Sequence, residues 1–315
     1  MKTETSAPAK VILLGEHAVV YGQPAIAVPV STLRARVRVY TNPEGQSGFR
    51  IYTGLLSEGL PSELSEEFID NSIAETAHLI LEQLQHPAPD VTLTLHSEIP
   101  MASGMGSGAA VSAALTRALA HVIQQELDDH QLNAIVYETE KTYHGTPSGL
   151  DNTVIVYERP IFFIRDTPPQ PLTINGRFTL LIGDTGHQGP TKIAVADVRK
   201  LYEAEPERIQ TVLDAIGETV LEARHALETN DAQSLGALMS RNHGYLQTLT
   251  VSSAELDHLV EAAMTAGALG AKLSGGGRGG NMIALVQDKA EAVRQALYAA
   301  GAVRVTELTL GEPAL

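Results

Sequence analysis

The chain has 315 residues, a length that suits two domains or one large one, and a hydrophobic content of 43% that is ample for a core. Its 22 Lys and Arg against 37 Asp and Glu leave a net charge of −15, which argues against nucleic acid or an anionic membrane as partner but not against a local basic pocket for a phosphorylated ligand. Cysteine is absent, which removes disulfides, thiolate metal sites and cysteine nucleophiles. No apolar run nears the ~18 residues of a membrane span, and the first residues lack a signal segment, so a soluble, cytoplasmic protein is expected.

In chain order, 8–14 reads as a buried strand, with Val11–Leu14 as its apolar run. Leu33, Ala35, Val37 and Val39 alternate with Arg34, Arg36 and Arg38, the pattern of a strand with one solvated face; an anion site is the rarer explanation of three such arginines. Apolar residues at helical spacing predict an amphipathic helix over 63–84, and Val91, Leu93 and Leu95 predict a strand. An Ala-rich helix is expected over 109–123, another over 132–143, and short strands over 153–157 and 161–164. The aperiodic stretch 166–176, with Pro168, Pro169 and Pro171, is the expected boundary between domains at 1–165 and 177–315. Beyond it follow a strand (178–182), successive helices (191–266) with a capping-box pattern at Ser252-Ser253-Ala254-Glu255, and then a strand, a Gly-rich loop, a strand (281–286), a helix (288–300) and a strand (303–310). The expected class is α+β with two domains.

Four segments carry candidate chemistry. Pro100-Met101-Ala102-Ser103-Gly104-Met105-Gly106-Ser107-Gly108-Ala109-Ala110 places free backbone N–H groups at a helix N-terminus, which suits phosphate. It is not a Walker A loop, because no Gly-Lys-Ser/Thr follows, and its glycine spacing is not that of a dinucleotide fingerprint. Ser274-Gly275-Gly276-Gly277-Arg278-Gly279-Gly280 has five glycines in its last six residues, and its flanking strands point to close backbone approach rather than a linker. Gly145-Thr146-Pro147-Ser148-Gly149-Leu150-Asp151-Asn152 is a turn with one carboxylate, which in isolation reads as a turn cap. Gly15-Glu16-His17 closes the first strand, and His17 alone would read as a structural histidine.

Taken together, 8–22 resembles the first motif of the GHMP small-molecule kinases, in the form that its mevalonate-phosphorylating members carry. Pro100–Ala110 resembles the second motif, Pro147–Asp151 the Pro-Ser-Gly-x-Asp segment, and Ser274–Gly280 the third, all in the family's order. The galactokinases of the family would follow Gly-Glu-His with Thr-Asp-Tyr, whereas this chain has Ala18-Val19-Val20. The resemblance implies an N-terminal domain like ribosomal protein S5 domain 2 and a ferredoxin-like C-terminal domain. It implies ATP- and Mg²⁺-dependent phosphorylation of the 5-hydroxyl of mevalonate to 5-phosphomevalonate, for isoprenoid synthesis. Asp151 would be the catalytic base, and the charge of Lys10 would favour the ionised base and the developing alkoxide. Ser107 and Glu140 would bind Mg²⁺, although Glu140 by itself reads as a solvated helix residue. Glu16, His17 and Thr185 would contact mevalonate, and Ser103, Gly104, Met105, Gly106, Ser107, Gly108 and Ala109 the phosphates of ATP. A homodimer is compatible, and no residue pattern fixes the oligomeric state.

Three departures from the family pattern stand out. Gly108 replaces a second serine, Arg278 interrupts the glycine loop, and His187-Gln188-Gly189-Pro190 lacks a basic residue. Arg278 must either point into solvent or supply charge near the phosphates. Two rival functions stay open at this level. Another GHMP kinase, acting on phosphomevalonate, homoserine or a sugar, would for phosphomevalonate need a further basic cluster. A non-catalytic metabolite sensor would be expected to lose the base.

Overall fold

The computed structural model describes residues 3–42, 44, 47–53, 71–100, 103–144, 147–189 and 191–311, which form nine α-helices and ten strands. They fall into two compact units. The first comprises Met1–Ala9, Val30–Pro100 and Gly106–Glu158; the second comprises Lys10–Pro29, Met101–Met105 and Arg159–Leu315. No helix among the described residues is long and apolar enough to cross a membrane.

Strands β1 (Thr3–Leu14) and β2 (Ala25–Thr41) are longer than the expected segments 8–14 and 33–39, and each runs from one unit into the other. In the first unit Ala35, Val37 and Val39 of β2 are buried, as the alternation requires. The arginines between them find carboxylates. Arg38 Nε lies 2.6 Å from Glu4 Oε2 and Arg34 Nη2 lies 2.9 Å from Glu158 Oε2, so this is a matched strand face rather than an anion site. Strand β3 (Arg50–Thr53) runs parallel to β4 (Val91–Ser97), which pairs antiparallel with β2, so that Val37 faces Leu95.

Four helices complete this unit: α1 (Asn71–Gln83), α2 (Ser107–Val122), α3 (Asp129–His144) and α4 (Leu150–Tyr157). The first part of the expected helix over 63–84, residues 63–70, lies outside the described residues. Helix α2 starts two residues before Ala109 and buries eleven of its sixteen residues. Small side chains there let α1, α3 and α4 pack closely around it. The expected strand over 153–157 is instead the body of α4. Thr153, Val154, Ile155 and Val156 have β propensity, but Leu150 and 152–156 are all buried, against α2 and α3. Periodicity cannot separate a strand from a helix when every side is buried, and the helix-propensity deficit of at most ~0.7 kcal/mol per residue is small beside that burial.

In the second unit β5 (Ile161–Phe163) pairs antiparallel with Ala25–Ala27 of β2 and with β6 (Gln170–Pro171). Residues 166–176 lie inside this unit, around β6. Strands β7 (Phe178–Asp184), β8 (Gly270–Ser274), β9 (Asn281–Val286) and β10 (Arg304–Leu310) form a sheet in the order β10-β7-β9-β8, every neighbouring pair antiparallel. Four helices lead from β7 to β8: α5 (Thr191–Ala204), α6 (Pro206–Glu228), α7 (Ala232–Thr248) and α8 (Ala254–Thr265). A single helix, α9 (Ala290–Ala299), leads from β9 to β10. This is the β-α-β-β-α-β order of the ferredoxin-like arrangement, with its first crossover enlarged to four helices. Its core joins Leu181, Leu213, Ile216, Leu246, Leu273 and Leu297. The N-cap of α8 is Ser253, whose Oγ accepts the Leu256 N–H at 3.4 Å.

Candidate active site

The second unit gathers the end of β1 and both of its glycine segments. Ser274 Oγ donates to Ile12 O at 3.0 Å and accepts the Ile12 N–H at 3.1 Å, which ties β1 to the end of β8. The Lys10 N–H donates to Met105 O at 3.0 Å, and Asn281 Nδ2 donates to Ser103 O at 2.7 Å. The glycine loop after β8 is close-packed backbone. At Gly277, with φ 78°, a Cβ would stand 2.0 Å from Val251 O, so no side chain fits. Thr185 is buried, and its Oγ1 donates to Gly280 O at 2.9 Å while accepting the His187 N–H at 3.2 Å. Toward a ligand this hydroxyl has only acceptor capacity left.

Glu16 and His17 follow β1 and are buried although both are polar. The Glu16 carboxylate takes the ammonium of Lys272 on one oxygen and Asn242 Nδ2, at 3.3 Å, on the other. His17 Nε2 lies 3.1 Å from Gly276 O. Burial, aided by the charges of Arg278 and Lys272 and opposed by that hydrogen bond, lowers the His17 pKa to about 4. The ring is therefore neutral near pH 7. A carbonyl can only accept, so Nε2 carries the hydrogen and Nδ1 is left as an acceptor.

The first unit holds the other cluster. Gly106, with φ 74°, caps α2 and, being glycine, offers its first turn no side-chain cap. The first helical bond is Ala110 N–H to Gly106 O at 2.9 Å, so the N–H groups of Ser107, Gly108 and Ala109 have no partner within the helix. Such a terminus suits an anion. Glu140 is buried on α3, and a Cβ at Gly108 would stand 3.2 Å from its Oε1. Glu140 is thus no solvated helix residue, and Gly108 is the departure that leaves it room. Asp151 is half-buried in the first turn of α4. Among the described residues no group of three or more His, Asp or Glu side chains is placed to hold a metal ion. Mg²⁺ does not need one, since it takes one or two protein oxygens and fills its shell with water and phosphate.

These features have counterparts in known proteins. The family model of the GHMP kinases N-terminal domain matches 71–159, and that of the GHMP kinases C-terminal domain matches 223–303. A mevalonate kinase of Pyrococcus furiosus is 37% identical, over 98% of this chain and 97% of its own. One from Methanothermobacter thermautotrophicus is 33% identical, over 90% of each. The crystal structure of L. major mevalonate kinase in complex with R-mevalonate matches with a TM-score of 0.86 and 32% identity, over 100% of this chain and 98% of that one. The chain belongs to the GHMP kinase family.

Of the residues that the GHMP motifs single out, Ser107, Gly108, Ala109, Glu140 and Asp151 lie in the first unit. Lys10, Glu16, His17, Ser103, Gly104, Met105 and Thr185 lie in the second. Met101, Ala102, Gly145, Thr146 and Pro190 lie outside the described residues. Lys272 and Asn242, which hold Glu16, lie outside the four motif segments. The available signal was a lysine inside the apolar strand Gly270–Ser274, two residues before the glycine loop.

Arg278 is not free in solvent: it is part-buried and ion-paired. Its Nη1 holds Asp197 Oδ2 at 2.6 Å, its Nη2 reaches Thr250 O at 3.4 Å, and its φ is 57°. The guanidinium also holds the Asp197 carboxyl below its ordinary pKa. Arg278→Gly gives up this exposed pair and relieves a left-handed backbone that costs roughly 1 kcal/mol, whereas Arg278→Ala gives up the pair and keeps the strain. Thermal melts should therefore place the glycine variant above the alanine variant. The reverse order would mean that the backbone carries no strain.

Proposed function

We propose that this kinase transfers the γ-phosphoryl group of ATP to the 5-hydroxyl of mevalonate, giving 5-phosphomevalonate for isoprenoid synthesis. One observation carries the choice of substrate: the full-length likeness to the L. major enzyme solved with R-mevalonate. On this reading the family's two domains occupy 1–165 and 177–315, consistent with the matches at 71–159 and 223–303. We place the enzyme in the cytoplasm without a nucleic-acid or membrane partner, in keeping with its charge of −15.

Asp151 takes the proton of the substrate hydroxyl, and Lys10 offsets the negative charge that grows on that oxygen. The N–H groups at the start of α2 and the loop 103–106 receive the phosphates of ATP. Ser107, at the first turn of α2, and Glu140, on α3 with its carboxylate beside Gly108, are the oxygen donors that would hold Mg²⁺, and such donors suit a hard cation. When bound, that ion neutralises phosphate charge. Glu16 and His17 present acceptors, the carboxylate lone pairs and Nδ1, to substrate hydroxyls, and Thr185 adds a hydroxyl acceptor. The first test is ADP release measured with mevalonate, phosphomevalonate, homoserine and galactose. Mevalonate should be the best acceptor by kcat/KM. If it were the poorest of the four, the substrate assignment would fall.

A further inference from the structure

The second unit buries a charged pair whose lysine no step above uses. Lys272 and Glu16 are 0% and 1% exposed, and an ion pair that deep is costly unless both partners are well held. They are. The Lys272 ammonium grips Glu16 Oε1 and also donates to Leu273 O at 2.5 Å, while Asn242 Nδ2 holds Glu16 Oε2 at 3.3 Å. With a different donor on each oxygen, the carboxylate is fixed in rotation as well as in position. Burial lowers the Lys272 pKa, and Glu16 opposes that shift. Asn242 is itself fully buried, and its Oδ1 has no hydrogen-bond partner. A buried amide left half-satisfied costs stability, so packing alone is a poor account of it.

We propose that Lys272 and Asn242 are positioning residues for acceptor binding: together they lock the Glu16 carboxylate so that its remaining lone pairs meet a hydroxyl donor of the substrate. The proposal rests on the reading that Glu16 touches mevalonate. It also explains the lysine. An uncompensated carboxylate beside the acceptor would repel the substrate's own carboxylate, whereas the neutral pair keeps the acceptor geometry without net charge.

The test is steady-state kinetics with mevalonate and ATP varied separately, on Lys272→Met, Asn242→Ala, Glu16→Gln and the double variant Lys272→Met/Glu16→Gln. Loss of a hydrogen bond to a charged group predicts a KM for mevalonate raised roughly 10-fold in Lys272→Met and several-fold in Asn242→Ala. The KM for ATP should stay within about two-fold of wild type. If Lys272 acts through Glu16, the two changes are not additive, and the double variant should resemble Glu16→Gln alone. Removing both charges also spares the double variant an unpaired buried ion, so it stays measurable even if Lys272→Met fails to fold, and Asn242→Ala keeps both charges. An altered Glu16→Gln beside unchanged mevalonate KM in Asn242→Ala and additive effects in the double variant overturns the proposal alone. An unchanged mevalonate KM in Glu16→Gln overturns the reading beneath it as well. Equal rises in both KM values would mark the pair as a purely structural tie.

Discussion

Asp151→Asn is expected to lower kcat by about 10²–10⁴-fold while leaving the melting temperature close to wild type. The amide is nearly isosteric with the carboxylate but cannot take the hydroxyl proton, so chemistry suffers and packing does not. Asp151 is half-buried in the first turn of α4. There a negative charge also gains from the helix dipole, by some tenths of a kcal/mol, and the amide forfeits that small term. KM for ATP should change little, because the residues assigned to phosphate lie in another segment. The deciding comparison is single-turnover phosphorylation by wild type and variant at saturating mevalonate and ATP, with thermal melting as the folding control. A kcat within a factor of three of wild type would show that positioning alone supports the reaction and would remove Asp151 as the base.

Where one face of an element is wet, its period was legible. Val37 and Val39 alternating with Arg36 and Arg38 declared a strand, and the Ala-rich run after Ser107 declared a helix. Where burial is complete, the pattern carries no contrast. Thr153 to Val156 looked like a strand and is helix, because burial on all sides removes the period that would tell the two apart. The glycine motifs were legible for a related reason: Gly277 has no room for a Cβ, a constraint that shows directly as a residue type. Lys272 was not legible. Its partner Glu16 lies 256 positions away in the chain and is shared with Asn242 of α7, and no local spacing encodes such a contact. Arg278 shows the same limit, since its partner Asp197 lies 81 residues away.

Acid should weaken the fold through His17 over a defined window. The His17 ring has a pKa of about 4 in the folded protein against an ordinary 6.5, chiefly because it is buried. Between those values the unfolded chain binds a proton that the folded one does not, so stability falls as pH falls from about 6.5 toward 4. Above 6.5 both states are neutral and the contribution is constant; below about 4 both are protonated and the loss is complete. At about 1.4 kcal/mol per pH unit the full gap comes to about 3.5 kcal/mol, a large share of the stability of an ordinary domain, and most of it falls above pH 4. His243 shifts in the same direction, because burial outweighs its Asp257 partner, so the wild-type profile alone does not isolate His17. His17→Gln does, since the glutamine amide can still donate to Gly276 O but cannot be protonated in this range. The measurement is urea unfolding of wild type and His17→Gln at several pH values from 7 to 4. The wild type should lose about 3 kcal/mol more than the variant across that span, with the two curves converging in slope above pH 6.5. Parallel curves throughout would show that His17 is protonated as easily in the folded protein as in the unfolded chain, and that its burial does not hold the ring neutral.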